Sequence, residues 1–356
     1  MAHFWLRSEI RSDEFRTPIS PLGAKKLIKK GHLVSVEDCD KRVFCTLDYK
    51  KQGCQIVKKG SWVNNSKDII VIGLKEIDLN FKLRQKHIMF AHAYKKQKDS
   101  KKILSNFKKN SGVLYDLEYL TDFNANRVAA FGYYAGFSGA YAGIVVWLNY
   151  KKNCFKSKVK IPLSTTKQNI IIDAQKKLDF LISDRKVPPK IIIIGSKGRV
   201  GRGACDFLKS FDLDITEWDI NETRNKKNFP EILSHDIFIN CVLSSNKSIK
   251  FLNKSEIMSE RKLTLISDVS CDPGSDFNTI PLYNKPSSFN DPFQYIIKGK
   301  NPLIITAIDN LPAMLPKESS LDFENQLIPF LLDFDLDNNG VWLRAEKIFY
   351  DHVKRI

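Results

Sequence analysis

The chain has 356 residues, 43% of them hydrophobic, with 57 lysines and arginines against 40 acids and a net charge of +17. That length suits two domains with sizeable cores. Lysine supplies 44 of the 57 basic residues and is spread along the whole chain. With no zinc-finger spacing, RNP-type aromatic motif or basic-region heptads, the charge does not indicate a nucleic-acid binder. Seven cysteines without a CxxC pair suit free thiols in a reducing compartment. The charged start MAHFWLRSEIRSDEF lacks the apolar core of a secretion signal, so a cytoplasmic protein is expected.

Taken in order, residues 4–10, 32–37, 68–74, 87–94 and 112–119 read as strands, with helices at Ala24–Lys30 and Ser100–Lys109. This is an α/β unit without a phosphate loop. Its candidate functional residues fall at strand ends. Arg16 precedes a turn in EFRTPISP, Lys75 ends IIVIGLKE, and His92 ends HIMFAHAY, with Lys95 and Gln97 just beyond. Arg127 opens RVAAFG. If the strands are parallel neighbours, these ends face one cleft, and such cations suit a substrate with several carboxylates. Singly each is weak, because a lysine after a strand is usually solvated and a histidine in MFAHAY reads equally well as core. The lysines of 95–109 read as a solvated helix face. His87 and His92 have no Cys or acid at metal-ligand spacing, so no metal is expected.

From Ala129 to Tyr150 no residue is charged, a length that would suit a membrane span. The segment is solitary and rich in Gly and Tyr. It reads instead as a buried helix whose Gly136, Gly139 and Gly143 let another backbone approach. A helix over 167–183 then leads into KIIIIGSKGRVGRG, residues 190–203. An unbroken β-branched run reads as a strand buried on both faces of a parallel sheet. Gly195, Gly198, Gly201 and Gly203 follow it and lead into a helix, as where a Rossmann fold holds a pyrophosphate. The spacing is not the usual G-x-G-x-x-G, and a ligand-free glycine turn is the competing reading. Asp219 ends the next strand, LDITEWD, where a dinucleotide fold places a carboxylate on the ribose, which favours NAD over NADP. Further strands at 236–243, 263–270 and 303–308, then helices at 311–332 and 340–355, complete a doubly wound pattern.

The stretches LRSEIRSDEFRTPISP, GSW (60–62), IIVIGLKE, FAHAYKKQ, GVLYDLEYL, RVAAFGYYAGFSGA, IIGSKGRVGRGA, WDINET, DIFINC, SDVSCD, AIDNLPAMLPKESS and VWLRAEKIF occur in this order. Through them the chain resembles the NAD-dependent, lysine-forming saccharopine dehydrogenases of the alanine dehydrogenase/transhydrogenase-like superfamily. The resemblance implies two Rossmann-like domains with parallel sheets and an active site in the interdomain cleft. The substrate domain would be discontinuous, residues 1–130 plus 320–356, and the NAD-binding domain would span 131–319. Lys75 aligns with the family's general base and His92 with its second acid/base group. Arg16, Gln97 and Phe131 align with substrate contacts, to which Lys95 is added as a neighbouring cation. Arg127, Gly198, Arg199, Asp219, Thr223, Val269 and Ile308, Asp309, Asn310 and Leu311 align with NAD-binding positions, beside Gly195 and Gly201 of the glycine run. Leu243 stands where an aromatic is expected, and Arg11 where a lysine is expected.

The implied substrates are saccharopine, lysine and 2-oxoglutarate, handled by a monomer without nucleic acid or membrane partners. Saccharopine is a secondary amine joining lysine's ε-nitrogen to the α-carbon of a glutarate unit. Its oxidation needs a neutral base, and a lysine serves if Arg16, Lys95 and the nicotinamide cation lower its pKa. The imine is then hydrolysed, with imidazole moving protons. A related alanine- or opine-type dehydrogenase and a silent NAD-binding sensor are the alternatives.

Overall fold

A computed structural model describes residues 1–94, 99–153, 159–244 and 246–356. In chain order the first elements are β1 (His3–Leu6), α1 (Pro21–Lys29), β2 (Leu33–Glu37), α2 (Thr46–Lys51) and β3 (Gln55–Val57). Next come β4 (Ile69–Ile72), β5 (Lys86–Met89), α3 (Ser100–Asn110), β6 (Val113–Asp116), α4 (Gly132–Asn153) and α5 (Lys167–Ser183). Then follow β7 (Lys190–Ile194), α6 (Arg199–Leu208), β8 (Asp214–Trp218), α7 (Ile220–Thr223), α8 (Pro230–Leu233) and β9 (Ile237–Asn240). The last are β10 (Leu265–Asp268), β11 (Gln294–Ile297), β12 (Leu303–Thr306), α9 (Pro316–Leu332) and α10 (Val341–Val353). The chain divides into two compact units, Met1–Phe131 with Pro316–Ile356, and Gly132–Leu315.

The first unit is built on a parallel sheet of order β3-β2-β1-β4-β5-β6. Its strands are short and mostly apolar, and Ile69–Ile72 and Val113–Asp116 are buried throughout. The tail of the chain completes this unit. Trp342 of α10 meets the Tyr115 ring edge-on at 5.5 Å, and the Tyr115 hydroxyl donates to Glu346 at 2.7 Å. His87, on β5, is 1% exposed and lies edge-on between Trp62 and Phe107. Its ring nitrogens have no hydrogen-bond partner among the described residues, and burial, with Arg7, pushes its pKa down to about 3. It is a neutral core residue. α2 and β3 are not legible in the sequence because six and three residues are too short to show a period.

The second unit has the sheet order β11-β12-β10-β9-β7-β8. Every strand is parallel to its neighbours except β11, which pairs antiparallel with β12. The exception to the expected parallel sheet follows from the short β11–β12 connection, since a parallel pair needs a long crossover. Ile191–Ile194 of β7 are completely buried, as a central parallel strand requires.

α4 is the long uncharged helix, and it packs on α6. A Cβ on Gly136 would lie 1.8 Å from the Val200 carbonyl oxygen, and one on Gly203 would lie 1.8 Å from that of Tyr133. Gly139 and Gly143 instead face side chains, Val269 and Ser267, so one of the three expected glycines meets backbone. Among the described residues no helix is long and apolar enough to cross a membrane. The helix expected from Leu311 is in fact a 3₁₀ turn, Leu311–Met314, followed by α9. Pro316 takes the first position of α9, where its missing N–H costs nothing and its fixed φ suits a helix start.

The α4–α6 contact gives a direct test. Gly203→Ala should destabilise the protein by about 3 kcal/mol, because the added methyl meets backbone that cannot move aside. Gly274→Ala, with nothing within 4 Å of the new methyl, should change stability by less than about 0.5 kcal/mol. Urea unfolding of both variants checks this, and equal midpoints would refute the close approach.

Candidate active site

In the first unit every strand runs the same way, so the segments after β1, β4, β5 and β6 emerge along one edge. Arg7–Glu9, Lys75, His92 and Asp116–Glu118 lie there in spatial order. The end of β1 fixes the backbone at Lys75. Glu9 accepts the N–H groups of Leu74 and Lys75 at 2.6 and 3.0 Å, and the Arg7 guanidinium donates to the Lys75 carbonyl. The Lys75 side chain is half-buried. Its charge helps to hold Asp13 and Glu14 ionised.

His92 adopts a left-handed backbone, φ 50°, unusual for a residue with a side chain. Its Nδ1 lies 3.3 Å from Glu118 Oε2, and the other carboxylate oxygen lies 3.6 Å from the Arg127 guanidinium. Glu118 is itself placed by its N–H, which donates to Asp116 Oδ1 at 3.0 Å. Asp116 is 1% exposed, and its Oδ2 has no hydrogen-bond partner among the described residues. Burial pushes its pKa up to about 6, with the Glu118 charge adding to this while that residue's N–H and His92 oppose it.

Arg16 is 3% exposed and forked onto Glu14, with contacts of 2.7 and 2.6 Å. Burial opposes ionisation of Glu14, but Arg16 and then Lys75 outweigh it and hold the carboxyl below its usual range. The guanidinium carbon sits 4.2 Å over the Phe131 ring, which stacks on Phe323 of α9 at 4.3 Å. Arg11 is forked onto Asp13 at 3.0 Å and lies 3.7 Å from Glu76.

The structure thus places Lys75, His92, Arg127, Arg16 and Phe131 in the first unit, the first three at or beside the strand ends. Lys95 and Gln97 lie outside the described residues. The surround is not purely basic as anticipated. Carboxylates alternate with the cations, and Glu9, Glu14 and Glu118 were missed. Each lies inside one of the stretches LRSEIRSDEFRTPISP and GVLYDLEYL, but sequence alone shows neither that Glu14 faces Arg16 two residues on nor that Glu118 reaches His92 beyond the neighbouring strand.

The second unit offers a separate cradle at the end of β7. Gly195 has φ 90°, and a Cβ there would lie 2.9 Å from Val242. A Cβ on Gly201 would lie 2.0 Å from the Gly195 carbonyl oxygen. The loop therefore closes only with glycine at both places, and Gly198 is the N-cap of α6, supplying no side-chain cap. Arg199 opens that helix. At the end of β8, Asp219 accepts the N–H groups of Lys197 and Ile220, each at 2.8 Å, and Thr223 donates to the Asp219 carbonyl. Val269, Ile308 and Leu311 are buried in the hydrophobic core. They therefore offer only backbone to a ligand, while Asp309 is exposed and Asn310 buried. Leu243, at the end of β9, is 72% exposed.

Solved structures share this architecture. An L-alanine dehydrogenase superposes with a TM-score of 0.66 at 14% identity, covering 98% of this chain and 93% of that one. A transhydrogenase from Sinorhizobium meliloti superposes with a TM-score of 0.61 at 13% identity, covering 93% and 94%. The family profile described as alanine dehydrogenase/PNT, N-terminal domain, matches residues 5–138. The fold is therefore that of the alanine dehydrogenases and transhydrogenases.

Nearer relatives narrow this. A protein of Candida glabrata named saccharopine dehydrogenase (NAD(+), L-lysine-forming) is 40% identical over 98% of this chain and 96% of its own. One of the same name from Schizosaccharomyces pombe is 37% identical over 99% of both chains. The chain belongs to the family of lysine-forming saccharopine dehydrogenases.

The buried acid beneath this site predicts a pH effect. Its pKa is 3.8 unperturbed and about 6 when folded, so the stability it permits is complete below pH 3.8 and is lost as pH rises through 6. Asp116→Asn should therefore stabilise the protein by about 2–3 kcal/mol at pH 8 and by almost nothing at pH 4. Urea midpoints for both forms at the two pH values decide. A gain equal at both would mean that ionisation of Asp116 is not the cause.

Proposed function

We propose that the chain is an NAD-dependent saccharopine dehydrogenase that oxidises saccharopine to L-lysine and 2-oxoglutarate, reversibly. The observation that carries this reading is the full-length identity to proteins of that name. The strand-end residues supply chemistry that fits it. When bound, NAD accepts a hydride from the α-carbon of the glutarate part of saccharopine. The glycine loop from Gly195 to Gly201 and the first turn of α6 at Arg199 suit its pyrophosphate. Asp219, with oxygens already accepting two backbone N–H groups, still has lone pairs for ribose hydroxyls and repels a 2′-phosphate. Thr223, the backbone of Val269 and Ile308–Leu311, and Arg127 are the remaining positions assigned to the cofactor.

Lys75, as the neutral amine, takes the extra proton from the protonated secondary amine of saccharopine, so that nitrogen's lone pair can assist departure of the hydride. Its backbone is held from both sides by Glu9 and Arg7, which limits where its amine can reach. His92 moves the protons of imine hydrolysis: one from the attacking water, one to the departing lysine nitrogen. Glu118 orients the imidazole through Nδ1. Arg16 binds a substrate carboxylate. Its partner Glu14 leaves only part of the guanidinium's positive field for that contact, and Lys95 and Gln97 are the further substrate contacts proposed.

Turnover should fall by roughly 10²–10⁴ in Lys75→Met, the usual loss for a positioned acid/base group. Near-normal kcat from pH 6 to 10 would remove Lys75 from the role. Substrate identity is tested by NADH oxidation. Lysine plus 2-oxoglutarate should support it far faster than ammonia plus pyruvate, and the opposite order would make this an alanine-type dehydrogenase.

A further inference from the structure

Arg16 lies on a loop that α9, nearly three hundred residues later in the chain, holds in place. Two side chains one helical turn apart on α9 take backbone N–H groups from that loop. Ser320 accepts from Thr17 at 2.9 Å, and Glu324 accepts from Ser20 at 2.8 Å. Residues four apart on a helix share a face, and Phe323 between them supports the Phe131 ring on which Arg16 rests. A buried glutamate is an unusual choice for such an anchor. Glu324 is 5% exposed, and a charge so placed is tolerated only where its oxygens are bonded.

The chain makes room for it at one position. A Cβ on Gly23, in the first turn of α1, would lie 1.5 Å from Glu324 Oε1 and 2.5 Å from its Cδ. The carboxylate occupies the space of a missing side chain. α1 gives no other reason for a glycine there. Gly23 is not in the left-handed region, its N–H is already capped by Ser20, and glycine in a helix costs about 1 kcal/mol against alanine.

We propose that Glu324, seated in the gap at Gly23, is a positioning residue that fixes the Arg16 loop for substrate binding. It touches no substrate and acts through the backbone of Ser20. The proposal rests on the reading of Arg16 as the substrate-carboxylate contact.

The test compares Glu324→Ala, Glu324→Gln and Gly23→Ala in the full-length protein, assayed with lysine, 2-oxoglutarate and NADH and by hydrogen exchange of the peptide covering residues 14–22. Glu324→Ala should raise the KM for 2-oxoglutarate about ten- to a hundredfold, the scale of one lost hydrogen bond to a charged acceptor. The KM for NADH and kcat should stay within about threefold, and exchange in the loop should quicken. Glu324→Gln, which keeps an acceptor oxygen, should regain most of the loss.

Gly23→Ala is the sharper variant. It should lower thermal stability no more than Glu324→Ala does, since alanine favours the helix and offsets part of the lost hydrogen bond, yet reproduce the KM increase by displacing the carboxylate. A merely structural glutamate would give lower stability and no selective change in KM. The proposal is overturned if the KM for 2-oxoglutarate stays within twofold in Glu324→Ala, or if the KM values for NADH and 2-oxoglutarate rise together. If Glu324→Ala does not fold, Gly23→Ala decides alone. If the unmodified protein fails to turn over these substrates, the functional reading falls, and the exchange data still judge the anchor.

Discussion

Parallel pairing of β1 with both β2 and β4 is the constraint on which the first unit's chemistry depends. In that register Leu6 stands level with Val36 on one side and Ile72 on the other. The chain after each strand therefore leaves the sheet at one edge. Arg7 and Glu9 can reach the backbone at Lys75 only because β1 and β4 are aligned neighbours. His92 and Glu118 follow from β5 and β6 by the same rule. A slip of one residue would carry the segment after a strand out of line with its neighbours and separate the ion pairs.

Charge at this edge is balanced rather than accumulated. Arg16 has Glu14, Arg11 has Asp13, Arg7 has Glu9, and His92 and Arg127 share Glu118. A cluster of bare cations would repel itself in partly buried surroundings. On the proposed reading, a dicarboxylate or tricarboxylate substrate would meet guanidinium groups already fixed in orientation by their forks. Fewer rotamers then have to be frozen on binding. Asp116 is the counter-case, a buried acid with one oxygen left unbonded. Its cost in stability is tolerated at a place where Glu118 must be held.

Much of this was legible in the sequence, for physical reasons. The isoleucine run of β7 and the glycines after it identify a central strand and a tight glycine turn because only burial and close approach demand those residues. The strand-end positions of Lys75 and His92 could be read because each ends a recognisable apolar run. The carboxylates were not found: Glu9 and Glu118 act across strand neighbours, and sequence distance carries no sign of which loops face each other. Glu324 was hidden for the same reason, its partner being a glycine three hundred residues away. β11 escaped because its alternation is weak, with Gln294 and Tyr295 half-buried or exposed. Quoted stretches such as WDINET and AIDNLPAMLPKESS marked positions without distinguishing side chains that face a ligand from those, such as Leu311, that fill the core.

The central claim is that this protein forms a carbon–nitrogen bond between two amino-acid-sized molecules and reduces it with hydride. The most direct measurement is mass spectrometry of the product made from lysine, 2-oxoglutarate and NADH carrying deuterium at the transferred position. The account predicts one adduct whose mass is the sum of the two reactants less one oxygen, with a single deuterium on the glutarate α-carbon. Deuterium appearing in glutamate, or NADH consumed with no adduct formed, would contradict it.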